Sequence, residues 1–213
     1  MISPITSLSE GKQPPEVTEE AENDPLRRFA ADLPQFHLWV EERRIAPHIR
    51  ELMTEEPRSA VVDAGVLLEE HVKHLLEIST VRIEGYQKFQ KTSYSEAVSW
   101  AYRLGIIDMA MAGELQTMDK IRDWFVLGWS HKKDFEGSEI SVMVDCLRSP
   151  RQFFPPDEAD AKRPWSMKVF NWTMKRDRRD WWELATAALL GELVELLRGA
   201  ERPPAPEAKA PWH

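Results

Sequence analysis

An arginine and a histidine that could act on a phosphate lie near the middle of the chain, in the segment KIRDWFVLGWSHKKDF at positions 120–135. An arginine can stabilise negative charge on a phosphate, and a histidine can transfer a proton near neutral pH. A ribonuclease site of this kind needs Arg122 and His131 close together at a helix end. On a continuous helix they would be separated by about 13.5 Å along the axis and half a turn around it.

Positions 127–129, a few residues after Arg122, hold no side chain that could transfer a proton. Helical nucleases of the HEPN type place the histidine shortly after the arginine, and here Leu127, Gly128 and Trp129 stand there instead. In the structural alternative, Gly128 ends the helix, Trp129 packs, and His131 lies near the negative C-terminal end of the helix. The structural interpretation is favoured, so no catalytic residue is assigned.

The segment MKRDRRDWWE, at positions 174–183, is a second cationic segment with neighbouring tryptophans. Arginine planes and tryptophan rings can grip phosphates and stack on bases. The favoured alternative is a junction between two helices, with Asp180 capping the second and the tryptophans in the core. The net charge of −8 is unlike that of proteins that bind nucleic acid through phosphates, so direct DNA contact would have to depend on a local basic patch. The candidate cations are Lys175, Arg176, Arg178 and Arg179.

A histidine pair in EEHVKHLLE raises the possibility of a metal site. His71 and His74 are three residues apart, and Glu70 precedes His74 by four, so the side chains share a helix face. The zinc-protease order is His-Glu-x-x-His, however, and no third ligand is near in the sequence. Packed or solvent-bridging histidines are therefore favoured, and neither a metal nor a cofactor is predicted.

The elements that position these residues belong to a chain of 213 residues, enough for one domain with a core. No apolar run is long enough to span a bilayer, and MISPITSLSEGKQ lacks the apolar stretch of a secretory signal. Because Cys146 is the only cysteine, a reducing, cytoplasmic compartment is predicted. Cys146 itself is expected to be a small core residue.

Helical rather than alternating periodicity runs through nearly all of residues 24–198, which predicts an all-α bundle of about six to eight helices. This single domain lies between an acidic disordered tail at 1–23 and a Pro/Ala-rich disordered tail at 199–213. The predicted caps are Asp24, Ser93 or Ser95, Gly105 and Asp108. The predicted helices cover 24–54 with breaks at Pro34 and Pro47, then 57–79, 93–104, 109–127, 138–149, 164–178 and 180–197.

Apolar stripes at spacings of three and four residues predict the buried faces of these helices. They are Ala64, Leu68, His71, Leu75 and Ile78, then Ala97, Val98, Ala101, Tyr102 and Leu104, then Leu115, Met118, Ile121 and Phe125, and last Trp182, Ala185, Leu189, Leu193 and Leu196. The chain also has nine tryptophans. Tryptophan is favoured at interface centres, so some are expected to serve a protein contact.

The order of landmarks over residues 58–148 resembles the mannitol operon repressor family. The resemblance is carried by the YRLGII turn at 102–107, the helix leading to Ile121-Arg122-Asp123, and Asp134-Phe135 before Glu139-Ile140. It implies an all-α regulator of genes for mannitol or a related sugar alcohol, without a helix-turn-helix. The chain departs from the family at Leu127, where many relatives have a histidine.

Together these features predict a non-enzymatic transcriptional co-regulator that works mainly through protein–protein contacts. Its implied partner is another regulatory protein or a sugar-transport protein, and a homodimer is a further expectation. A HEPN-like ribonuclease or antitoxin-type protein, and a nucleic-acid binder using residues 175–179, are the alternatives. The candidate interaction residues are Arg122, Trp129, His131, Lys175, Arg176, Arg178 and Arg179.

Overall fold

Helices α1 to α7 and two 3₁₀ turns make up the fold in the computed structural model, which describes residues 24–30, 32–80, 89–127, 134–154 and 177–200. Within these ranges no strand is present, so the predicted all-α class is confirmed. The 3₁₀ turns are Pro25–Phe29 and Ser149–Phe153. The helices are α1 Phe36–Glu42, α2 Ala46–Thr54, α3 Pro57–Ser79, α4 Tyr94–Arg103, α5 Met109–Leu127, α6 Ser138–Asp145 and α7 Arg178–Gly199.

Four of the predicted helix caps, Asp24, Ser93, Gly105 and Asp108, are found where the sequence placed them. The Asp24 carboxylate accepts from the Leu26 N–H at 3.0 Å, and the Asp108 carboxylate accepts from the Met111 N–H at 2.8 Å. Of the two serines proposed for α4, Ser93 is the cap, and it forms a capping box with Glu96. Gly105 follows α4 with φ of 70°, a backbone angle that glycine tolerates better than other residues.

The predicted breaks divide the first helical stretch into the 3₁₀ turn, α1 and α2. Pro34 lies in the turn before α1, and Pro47 is in the first turn of α2, where its missing N–H costs nothing. Arg44, between α1 and α2, is the only residue other than glycine with a positive φ, 61°, in the described ranges.

Helix α7 is the centre of the bundle. Every residue from Asp180 to Gly191 is buried, so the predicted stripe of Trp182, Ala185 and Leu189 is only one side of a helix that packs all round. The helix contacts α2, α3, α6 and the second 3₁₀ turn. Its N-cap is Asp177, which accepts from the Asp180 N–H at 2.8 Å, so the prediction that Asp180 is the cap was wrong.

The remaining helices pack on α7 or on the helices that contact it. Helix α3 lies against α7, α5 and α4, while α4 and α5 pack on each other across the Gly105 turn. Aromatic rings connect this layer to the centre, with Phe125 5.1 Å from Phe135 and Phe135 5.3 Å from Trp182 between ring centroids. The predicted stripe of α5 is buried throughout.

Several predicted core residues lie outside the core. Tyr102 and Leu104 are 46% and 49% exposed, because they follow the buried Ala101 by about one and three steps of 100° around the helix. Cys146 is exposed, since it lies about half a turn around the helix from Val144, one of the two buried residues of α6. His71, Ile78 and Leu196 are half-buried at the edges of their stripes.

Some predictions fall on residues that the structure does not describe. These are the tail at 1–23, residues 201–213 of the other tail, nearly all of the predicted helix at 164–178, and the candidate residues Trp129, His131, Lys175 and Arg176. Of the tryptophans within the described ranges, Trp181 and Trp182 are buried, while Trp39, Trp100 and Trp124 are half-buried. No described helix combines the length and apolar character that crossing a lipid bilayer requires.

Candidate functional site

Arg122 of α5 is held between two carboxylates rather than facing an open cleft. Its Nη1 lies 3.2 Å from Glu69 Oε2 on α3, and its Nη2 lies 2.6 Å from Asp119 Oδ1 one turn earlier. Lys73 Nζ binds the other oxygen of Glu69 at 2.6 Å. With its side chain only 21% exposed, Arg122 is part of an ion-pair cluster that joins α3 to α5.

Gly65 and Tyr94 determine where the Arg122 side chain runs. A Cβ on Gly65 would lie 2.5 Å from Arg122 Cδ, so the absence of a side chain on α3 makes room for the arginine. The Arg122 guanidinium carbon is 5.6 Å from the centroid of the Tyr94 ring. The sequence analysis did not connect these residues, because they lie on three different helices.

The charges around Arg122 favour a structural role. Burial raises the pKa of Asp119, and Arg122 opposes that shift. Burial also raises the pKa of the Tyr94 hydroxyl, so the hydroxyl stays neutral. Both the arginine and the nearby lysine are already bound by carboxylates of this chain. His131, the proposed partner of Arg122, lies outside the described residues.

Arg178 and Arg179, the described arginines of the cationic segment at positions 174–183, also bind groups of this chain. Arg178 Nε lies 3.3 Å from Asp145 Oδ1, and its Nη1 lies 3.3 Å from Glu136 Oε2. These ion pairs connect the start of α7 to the last residue of α6 and to the turn just before α6. Arg179 binds the buried Glu183 at 2.8 Å and donates to the Glu55 carbonyl at 2.6 Å, just after α2.

The inward direction of Arg179 follows from the acidic groups on α7. Glu183 and Asp180 are both buried, at 2% and 7% exposure. Arg28, from the first 3₁₀ turn, pairs with both of them. A buried carboxylate needs such pairing to remain charged. Arg28 and Arg179 therefore stabilise the central helix α7 by pairing with its buried carboxylates.

The histidine pair of α3 has separate surroundings. The His71 ring nitrogen Nδ1 lies 2.8 Å from the Leu67 carbonyl one turn earlier, and His74 is exposed. Among the described residues, no group of three or more His, Cys, Asp or Glu side chains could hold a metal ion.

An acidic groove between α2 and α3, within the part of the chain that the structure describes, was missed by the sequence analysis. The α2–α3 groove has a cavity of about 220 Å³ and is lined by His48, Glu51, Leu52, Glu55, Asp63, Val66, Leu67 and Glu70. Burial, then Asp63 and Glu51, raise the pKa of the Glu55 carboxyl.

The signal for this groove was present in the sequence. Glu51 and Glu55 are four residues apart on one side of Pro57, and Asp63 and Glu70 are seven apart on the other side. Each pair shares a helix face. The two helix faces lie opposite each other on either side of the turn at Pro57, and this arrangement depends on the tertiary structure.

Comparison with protein-family models, with curated proteins and with solved structures gives no match for this chain.

Proposed function

We propose that the protein is a non-enzymatic regulator that acts by binding another protein. The observation that carries the proposal is that Arg122, Arg178 and Arg179 all bind carboxylates of this chain. The nuclease alternative depends on the first of these arginines, and the nucleic-acid alternative depends in part on the other two. A guanidinium already bound by carboxylates would have to lose those partners before it could bind a phosphate.

The unpaired charge of the molecule also favours a protein partner. The α2–α3 groove has four carboxylates among its lining residues, and the net charge of the chain is −8. Such a surface repels nucleic-acid phosphates and attracts basic segments of proteins. The resemblance to mannitol operon repressors supplies the class of partner, which is another regulatory protein or a sugar-transport protein.

The test combines an activity assay with identification of a partner. Purified full-length protein is incubated with labelled single-stranded RNA, and separately titrated with DNA at low and moderate salt. Chemical cross-linking in native extract followed by mass spectrometry identifies bound proteins, and each is reconstituted with purified protein. We expect intact RNA, no steeply salt-dependent DNA binding, and a reconstituted complex with a regulatory or transport protein.

Degradation of RNA that is lost in Arg122→Ala would refute the proposal. Because this change also removes an ion-pair partner of Glu69, the variant must first give the far-UV circular dichroism spectrum of the folded protein. Arg103→Ala is the matched control, since it removes the same charge from the exposed end of α4. A ribonuclease centred on Arg122 loses activity only in the first variant.

A further inference from the structure

We propose that the α2–α3 groove is the docking site for a basic segment of the partner protein, with one lysine or arginine side chain inserted into the cavity. This inference rests on the proposed function, because it names the chemistry of the partner and the surface that receives it. It adds a specific geometry, in which an apolar stem lies on Leu52 and Leu67 and the cation reaches Glu55 and Asp63.

The size and lining of the groove fit one long side chain. Its cavity of about 220 Å³ is smaller than the roughly 300–1,000 Å³ clefts that hold drug-sized ligands. Leu52 is buried and Leu67 half-buried, while Val66 is 46% exposed. Lysine and arginine cover apolar surface with their methylene stems while their charged ends reach polar groups.

Within the described residues, no lysine or arginine forms an ion pair with the carboxylates of the groove. None of the eight described residues that line it is a lysine or an arginine. Arg179 partly opposes the rise in the pKa of Glu55, but its guanidinium is bound to Glu183 and to backbone carbonyls. The groove therefore retains unbalanced negative charge.

One oxygen of Glu55 gives independent support for a missing donor. Glu55 Oε2 is inaccessible to solvent and accepts no hydrogen bond from the described residues. Burial, and then the like charge of the neighbouring Asp63, raise the pKa of Glu55. Leaving a buried acceptor unsatisfied is costly, and a charged donor from a partner would remove that cost.

Other occupants fit the groove less well. A nucleic acid would bring phosphates to four carboxylates. A metal ion would need a closer cluster, and the described residues contain no group of three or more ligands arranged to hold one. A basic protein segment provides both a cation for the carboxylates and methylene groups that pack on the apolar residues of the groove.

The first test maps the binding of a defined probe. The probe is a short labelled peptide in which arginines alternate with leucines, and its control has glutamine in place of each arginine. Titration at physiological salt, followed by amide NMR shifts, is expected to place the arginine peptide on α2 and α3. Equal binding of the glutamine peptide, or shifts centred on another part of the bundle, would overturn the proposal.

Matched variants then test the carboxylates. The double change Glu55→Gln and Asp63→Asn is expected to weaken peptide binding about tenfold or more, since it removes both charge-assisted hydrogen bonds. The control is Glu42→Gln with Glu77→Gln, which removes two charges from residues that do not line the groove. Equal weakening by both pairs would mean that only the net charge attracts the peptide, and would refute the docking site.

A third variant introduces a cation of the protein's own into the groove. Val66 lies three residues after Asp63 and four before Glu70 on α3, so Val66→Lys places an ammonium within reach of both carboxylates. We expect this variant to have a higher Tm and to lose peptide binding. Retention of full binding by a folded Val66→Lys protein would contradict the insertion of a cation at this position.

Failure of the docking site can be separated from failure of the proposed function. If the partner identified by cross-linking binds the Glu55→Gln, Asp63→Asn protein with unchanged affinity, the groove is not its docking site and the regulatory function stands. RNA degradation that depends on Arg122 would instead remove the proposed function itself.

Discussion

Gly191, at the centre of α7, leaves space for an aromatic ring from α1, so replacing it with alanine should destabilise the fold. An added Cβ would overlap the Trp39 ring and lie 2.8 Å from Arg43 Cδ. The ring cannot easily move away, because Phe153 packs on it at 4.9 Å and the Arg43 guanidinium carbon is 4.0 Å from its centroid.

The expected magnitude is the difference between two opposing effects. Overpacking a core costs about 1–3 kcal/mol, and the confinement of Trp39 points to the upper end, about 3 kcal/mol. Alanine at a mid-helix position gains about 1 kcal/mol over glycine. We therefore expect Gly191→Ala to lower the free energy of unfolding by about 2 kcal/mol.

Gly113→Ala in α5 is the matched control, because nothing lies within 4 Å of its added Cβ. That variant keeps only the gain in helix propensity and should be stabilised by about 0.5–1 kcal/mol. Urea unfolding followed by far-UV circular dichroism measures both changes. In a Trp39→Leu background the penalty of Gly191→Ala should largely disappear. A Gly191→Ala protein as stable as the Gly113→Ala protein would refute the packing of α1 against α7.

Three further changes test other parts of the structure. Arg44→Gly should stabilise the protein by about 0.5–1 kcal/mol in urea unfolding, because glycine adopts the positive φ after α1 without strain; a loss of stability would contradict that conformation. Glu183→Ala should cost about 3–5 kcal/mol, because it leaves the arginines that pair with this buried carboxylate without it, whereas the exposed Glu195→Ala should cost about 0–1 kcal/mol; equal costs would be inconsistent with the buried network. Burial raises the pKa of Glu192, so its stability contribution is present below the unfolded pKa and is lost as pH rises through the folded pKa. Glu192→Gln should therefore be more stable than the unchanged protein at pH 7, with the difference closing at pH 4; a gap that widens in acid would contradict this.

The local features of the fold could be predicted from the sequence. Helices α3 and α5 begin and end at the predicted residues, because Pro57, Ser79, Asp108 and the apolar spacing are local signals. The packing of α7 could not be predicted in the same way. Its sequence contains charged residues at 180 and 183, which suggest a solvent-facing side. In the structure both are buried, because Arg28, from the far end of the described chain, pairs with each of them and Arg179 pairs with Glu183 from one turn earlier.

The partners of Arg122 on α3 also could not be predicted from the sequence, because they lie far from it along the chain. The sequence gives the type and spacing of Arg122, but Glu69 precedes it by 53 residues and Gly65 is one turn farther away on α3. The exposure of Cys146 was wrongly predicted because its apolar neighbours alternate in a short helix of which only one side packs. Periodicity over so few residues does not determine which side faces inward.

The position of α7 in the chain has a consequence for biosynthesis. Since a ribosome makes the chain from its N-terminus, α1 to α6 emerge before the helix that fills the space between them. Until residues up to about Gly199 have left the exit tunnel, the apolar sides of α3 and α6 have no central helix to cover them. The apolar sides of α3 and α6 are therefore most prone to aggregation in the interval between their own synthesis and that of α7.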